Sequence, residues 1–172
     1  MQTEPGKWAP ANIVAGYLTL LGAAYFDSMR GPLVPVLVQS LHIPYAKVGW
    51  FLTVGNIVAV VLLGLLNWAF RRFGEKRVGI ATCLLAAAAG LIAPWVVDYP
   101  TLILLGVVIG GSIALMGAIC NIYTLRGTPD AWKSRMLAGN HFMYGLGSFG
   151  APLIVSAAIA RGLHWSWLVQ TS

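Results

Sequence analysis

Long apolar runs, each about as long as a bilayer is thick, recur along this chain. A hydrocarbon core of about 30 Å needs about 20 helical residues. Five runs reach that length, and a sixth begins near Trp165. The predicted fold is therefore an all-α membrane protein, with residues 1–172 forming a single transmembrane domain of five full transmembrane helices and the start of a sixth. The five spans are predicted at about residues 13–38, 48–70, 78–97, 102–125 and 137–160.

The composition excludes a water-facing surface. Hydrophobic residues make up 58% of the chain and charged residues 9%, whereas soluble domains carry about 25% charged residues. A net charge of +6 is also compatible with nucleic-acid binding, but that function needs Lys and Arg clustered on one folded surface. Here the cations lie mainly in short loops between apolar runs, so the predicted environment is a lipid bilayer and nucleic acid is not a predicted partner.

The loop cations predict the orientation of the chain. Short cytoplasmic loops retain Lys and Arg, and the opposite loops hold few. The cations on one side are Lys7, Arg71, Arg72, Lys76, Arg77, Arg126, Lys133 and Arg135, and those on the other are Lys47 and Arg161. We therefore expect a cytoplasmic N-terminus and a location in the cytoplasmic (inner or plasma) membrane.

Cysteine and histidine give no sign of a cofactor or an enzyme. Cys83 and Cys120 fall within apolar runs, where small core residues are the simplest interpretation. The three histidines, His42, His141 and His164, are too far apart in sequence for metal-ligand spacing. The sequence predicts no metal, no cofactor and no catalytic activity.

Asp27 and Arg30 are the ionisable residues inside the first apolar run. Such groups are costly in a membrane, by about 2.5–3.5 kcal/mol on insertion scales, and usually mark a pathway or a buried pair. Their spacing of three residues puts them on one face of a helix. Two interpretations stay open: Asp27 is a proton or substrate site, or the two residues form a structural pair.

Polar residues on other spans suggest a shared cleft. Gly106, Gly110, Ala114, Gly117 and Asn121 follow helical steps along the fourth span, and His141 and Tyr144 share a face of the fifth. Close packing explains the glycines. Asn56, Asn121, His141 and Tyr144 are the candidates for lining a substrate cavity, with interhelical hydrogen bonds as the alternative for each.

Three strings carry a family resemblance: GPLVPVL after Asp27, RRFGEKR between the second and third spans, and HFMYGLGSFGAP in the fifth. Together they resemble the N-terminal six-helix half of a major facilitator transporter. The fourth and fifth spans are similar to those of fucose- and glucose-type proton symporters. The resemblance implies that Asp27 carries protons, that Asn121 and His141 face the cavity, and that the second loop gates the cytoplasmic side. The residues of that loop are Arg71, Arg72, Gly74, Lys76 and Arg77.

The loop departs from the family pattern. When the sequence is aligned on Gly74, Asn67 stands where the family has a glycine and Arg71 where it has an acid. The usual gating ion pair is therefore not expected here.

The predicted function is secondary active transport of a small polar solute, coupled to protons. In this fold, the solute lies near the midplane between two six-helix halves. The expected partners are the bilayer, the solute, protons and a second half, which would be a C-terminal half, a second copy or a separate subunit. The alternative is a non-transporting scaffold or assembly subunit derived from a truncated facilitator fold.

Overall fold

A computed structural model describes residues 8–170 of the chain. Six α-helices contain nearly all of these residues, and no strand occurs among them. Their bounds are α1 (Pro10–Leu41), α2 (Tyr45–Phe73), α3 (Glu75–Ile92), α4 (Tyr99–Arg126), α5 (Lys133–Ala160) and α6 (Trp165–Gln170). Single 3-10 turns, Ala93–Trp95 and Asp130–Trp132, follow α3 and precede α5. The predicted all-α helical bundle is confirmed.

Four helical segments of the described chain are long and apolar enough to cross a membrane. They are Tyr45–Phe73, Glu75–Trp95, Tyr99–Arg126 and Asp130–Ala160. The first helix has 32 residues but is not among the four. Asp27 and Arg30 lie within α1 and lower its mean hydropathy, so its assignment as a fifth span stays a prediction.

Helix α4 lies at the centre of the bundle. It packs against α1, α2, α3 and α5, and α1 also pairs closely with α5. Helix α3 packs mainly on α4 and on the short α6. The polar residues of α1, α4 and α5 are thereby brought into one three-helix unit.

Backbone contact between glycines holds α2 against α4. A Cβ atom added to Gly110 would lie 2.3 Å from the carbonyl oxygen of Gly55, and one added to Gly106 would lie 2.6 Å from that of Phe51. No side chain fits there, which confirms close packing for these two glycines. Gly117, on the same predicted stripe, has no atom within 4 Å of its added Cβ, so the stripe is not one continuous contact surface.

Each of the five long helices begins three or four residues before its predicted span, and two helix ends differ from the prediction for identifiable reasons. Helix α1 continues through Pro32 and Pro35 to Leu41, because membrane helices tolerate proline where other groups satisfy the freed carbonyls. Helix α3 ends at Ile92 rather than near residue 97, and Asp98 then caps α4. The Asp98 carboxylate accepts a hydrogen bond from the Thr101 main-chain N–H at 3.0 Å, and its bonds with Thr101 lower the Asp98 pKa.

The two cysteines do not share one environment. Cys120 is fully buried between helices, as predicted for a small core residue. Cys83 is exposed on the surface of α3, so its prediction as a core residue was wrong. An apolar side chain in a membrane helix satisfies the same hydropathy pattern whether it meets lipid or another helix.

Candidate functional site

Asp27, Arg30 and Tyr144 form a polar cluster between α1 and α5, called here the charged cluster. The Nη2 atom of Arg30 donates to Oδ1 of Asp27, and the Tyr144 hydroxyl donates to Oδ2 at 2.6 Å. The Nε atom of Arg30 also donates to the Asp27 main-chain carbonyl at 3.2 Å. Both carboxylate oxygens therefore have partners.

Small residues bring α5 close enough for this contact. A Cβ atom added to Gly147 would lie 2.7 Å from the Ala24 Cβ and 2.8 Å from the Leu21 carbonyl oxygen. Tyr144 lies one turn before Gly147 and therefore reaches α1 with its hydroxyl.

The geometry of the charged cluster is compatible with both interpretations of Asp27, as a structural partner of Arg30 and as a proton or substrate site. The two residues do form an ion pair, but the Asp27 side chain is 32% exposed and that of Arg30 14% exposed. The Tyr144 hydroxyl can donate to a carboxylate and can also accept from a carboxylic acid. The arrangement therefore offers hydrogen-bond partners to both protonation states of Asp27.

A second polar group, called here the amide cluster, joins α4 to α5. The Thr124 hydroxyl donates to Oδ1 of Asn140 at 3.1 Å, and Nδ2 of Asn140 donates to Oδ1 of Asn121 at 3.2 Å. Nδ2 of Asn121 donates to the Gly117 carbonyl at 3.3 Å. Asn140 is fully buried and both ends of its amide are used, whereas Asn121 is only half-buried.

Helix α1 closes over the amide cluster through another glycine. A Cβ atom added to Gly16 would lie 2.2 Å from the Thr124 hydroxyl oxygen. Gly16 and Asp27 are separated by about 16 Å of helix rise along α1. Leu20, Ala23 and Cys120 form a small apolar cluster in this interval, so the amide and charged clusters are distinct sites.

Two predicted cavity residues lie apart from both clusters. Asn56 on α2 and His141 on α5 are exposed. Neither makes a side-chain hydrogen bond or ion pair within residues 8–170. Their assignment to the cavity stays a prediction, since a helical half leaves its cavity wall uncovered.

The cations of the second loop flank a sharp turn. Arg71 and Arg72 end α2, Gly74 turns the chain with a φ of 80°, and Lys76 and Arg77 lie in the first turn of α3. The acid in this loop pairs elsewhere, because the Glu75 Oε1 atom accepts from Nη2 of Arg126 at 2.6 Å. This ion pair ties the start of α3 to the end of α4.

A family model for the Major Facilitator Superfamily matches residues 16–171, which is most of the chain. The chain belongs to the Major Facilitator Superfamily. It is therefore an integral membrane protein of a transporter family, as the sequence strings implied.

A curated relative adds a second comparison for this facilitator chain. The bacillibactin exporter of Bacillus subtilis (strain 168) is 27% identical over 88 residues, which are 51% of this chain and 22% of the exporter. The chain thus matches about a fifth of that relative's length. The likeness to fucose- and glucose-type symporters has no counterpart in these matches, and no solved structure gives a significant match.

Three polar residues with partners on other helices were not predicted from the sequence. They are Asn140 and Thr124 of the amide cluster, and Glu75 of the ion pair with Arg126. Asn140 precedes Tyr144 by four residues, so helical spacing alone places both on one face of α5. Helical spacing could therefore have identified Asn140, but the prediction placed the neighbouring His141 on the face of Tyr144 instead. The partner of Glu75 lies 51 residues away, and no local pattern indicates it.

Proposed function

We propose that this chain is part of a proton-coupled secondary transporter for a small polar solute. The observation that carries the proposal is Asp27, an acid in an apolar helix that Tyr144 and Arg30 hold by both carboxylate oxygens. Its side chain keeps about one third of its exposure, which leaves a route for protons.

Protonation would change the charged cluster in a defined way. A neutral Asp27 attracts Arg30 less, while Tyr144 can stay hydrogen-bonded by accepting instead of donating. The guanidinium of Arg30 is then available to another acceptor, such as the solute. The proton therefore favours the arrangement in which Arg30 is released from Asp27. Such a preference for one of two states is required for coupling proton binding to solute binding.

The solute would meet this half on its uncovered face. Asn121, His141 and Asn56 offer hydrogen-bonding groups there and stay our candidates for solute contacts. One half supplies one wall of a facilitator cavity, so we propose a second six-helix half as the partner. The exporter relative and the symporter resemblance differ in the direction of solute movement, and the proposal covers both.

The test compares Asp27→Asn with the double variant Asp27→Asn/Arg30→Gln in the complete transporter. We expect Asp27→Asn to abolish uphill, proton-driven accumulation and to leave exchange or downhill flux partly intact, because an amide cannot titrate. Protein folding is followed in parallel by size-exclusion chromatography.

Three outcomes count against the coupling role. Unimpaired uphill transport by Asp27→Asn ends it. Loss of folded protein with Asp27→Asn, restored together with accumulation in the double variant, would identify a structural pair instead. A complete protein that transports no solute but co-purifies with other membrane proteins would favour the scaffold alternative.

We also propose the cytoplasmic location of the N-terminus and of the turn between α4 and α5. Asp130 is the suitable reporter, because its side chain is 90% exposed, whereas nearby Thr128 is buried. In a background with both native cysteines replaced, Asp130→Cys should resist a membrane-impermeant maleimide added from outside. Rapid external labelling would overturn this orientation.

A further inference from the structure

An apolar groove runs between α2, α3 and α4 on the side of the bundle that carries the cationic loop. Its volume is about 370 Å³. Its walls include Leu62, Leu66 and Ala69 from α2, Ala81 and Leu85 from α3, and Leu115 from α4. Helices α2 and α3 are joined by one glycine, yet each packs more closely on α4 than on the other.

The groove is closed at one end and open at the other. At Gly111, the side chains of Val58, Leu62 and Leu85 approach within 3.0–3.6 Å of an added Cβ, so the three helices meet there. Toward the loop, the groove extends to Phe73 and Val78, the residues on either side of the turn. A ligand there would have an apolar end at membrane depth and a second end at the loop.

The open end is strongly cationic. Arg71, Arg72, Lys76 and Arg77 are all exposed within this turn, and none of them is in an ion pair in the part of the chain that the structure describes. Glu75, the acid among them, is already paired with Arg126. Four exposed cations therefore flank the turn at the open end of the groove without an ion-pair partner among the described residues, and Lys76 among them also lines a neighbouring cavity with Glu75 and Arg126.

We propose that this groove binds an anionic phospholipid, with one acyl chain between α2, α3 and α4 and the phosphate headgroup against the loop cations. The apolar walls fit a hydrocarbon chain, and basic clusters at a membrane surface attract anionic headgroups. Trp68 is exposed, and its ring lies 5.7 Å from that of Phe73. An exposed tryptophan is typical of the boundary between acyl chains and headgroups. This site is independent of proton coupling and of the direction of transport.

Native mass spectrometry of the purified full chain tests the proposal. The chain is delipidated in detergent and offered dioleoyl phosphatidylglycerol or dioleoyl phosphatidylcholine at equal concentration. We expect tighter retention of phosphatidylglycerol, and binding roughly 30-fold weaker when Arg71→Gln and Arg72→Gln are combined, from about 1 kcal/mol per cation. The matched control combines Lys133→Gln and Arg135→Gln, cations on the same side but outside the groove, and should change retention little.

A second variant tests the acyl-chain site. Ala81→Phe fills the groove and should abolish selective retention, whereas Ala157→Phe, at an exposed alanine of α5, should not. In the wild-type chain, phosphatidylglycerol with a diazirine in its acyl chain should label peptides from residues 62–73 and 78–85. This measurement is valid even if Ala81→Phe fails to fold.

Equal retention of the two lipids would overturn the proposal. So would loss of phosphatidylglycerol from both double-charge variants alike, or photolabel spread evenly over all helices. Each of these results would indicate an unspecific lipid shell around the bundle.

Discussion

The charged cluster and the amide cluster both use helix α5, yet they differ in burial and charge. Asn140, at the centre of the amide cluster, has no exposed surface, while the Asp27 side chain is 32% exposed. The amide cluster is neutral, and both ends of the Asn140 side chain are bonded. The charged cluster holds an ion pair whose strength depends on one proton.

This difference suggests a structural role for the amide cluster and a proton-dependent role for the charged cluster. A buried amide that is hydrogen-bonded at both ends has no second state of similar free energy, so it fixes the rotation of α5 against α4. A partly exposed carboxylate with a bifunctional phenol beside it has two states. If Asp27 carries protons as proposed, the amide cluster would keep α4 and α5 in register while the protonation state of the charged cluster changes.

The largest expected effect is on the amide cluster. Asn140→Leu leaves the buried Thr124 hydroxyl and the side-chain oxygen of Asn121 without their partner. This should lower the free energy of unfolding by about 2–3 kcal/mol. Thermal unfolding of the chain in detergent measures the change, which should not depend on pH between pH 5 and 8. The control is the adjacent exposed residue, and His141→Leu should change stability by less than about 0.5 kcal/mol.

A somewhat smaller effect, with a pH dependence, is expected at the charged cluster. Arg30→Gln removes the cation beside Asp27 and should cost about 2 kcal/mol while Asp27 is ionised, since hydrogen bonds to charged groups contribute about that much. The loss should shrink at low pH, because a protonated Asp27 needs no cation. A loss independent of pH would remove the distinction between the two clusters.

Tyr144→Phe should have a weaker effect still. It removes the hydroxyl that donates to Asp27 at 2.6 Å but leaves Arg30 in place, so we expect a cost of about 1 kcal/mol. Tyr45→Phe, at an exposed tyrosine of α2, is the matched control for loss of a phenolic hydroxyl. Equal unfolding temperatures for the two variants would show that the Tyr144 bond contributes nothing.

The smallest effect is expected at the Glu75–Arg126 pair. The Arg126 side chain is 54% exposed, and exposed ion pairs typically contribute about 0–1 kcal/mol. Glu75→Gln should therefore change the unfolding temperature slightly, and added salt should reduce the difference between variant and wild type. A loss as large as that from Asn140→Leu would mean that this pair, too, holds the bundle together.

The sequence predicted the helices well because their signals are local. Hydropathy over about 20 residues indicates where a membrane helix runs, and it needs no knowledge of neighbouring helices. Asp27 was also identifiable from sequence, since an acid in an apolar run is unusual wherever its helix packs. Its ion pair with Arg30 followed as one of two alternatives from their spacing.

The partners of the other polar residues depended on tertiary structure. Asn140 and His141 are adjacent, yet one is fully buried and the other exposed. Their difference depends on the rotation of α5 about its axis, which is set by contacts such as Gly147 against Ala24. Hydropathy cannot distinguish the two faces, because membrane helices are apolar toward lipid and toward each other alike. The sequence by itself therefore determined that the chain is a bundle of long apolar helices and which acid in it is unusual. The close approach of α1, α4 and α5 decided which side chains meet.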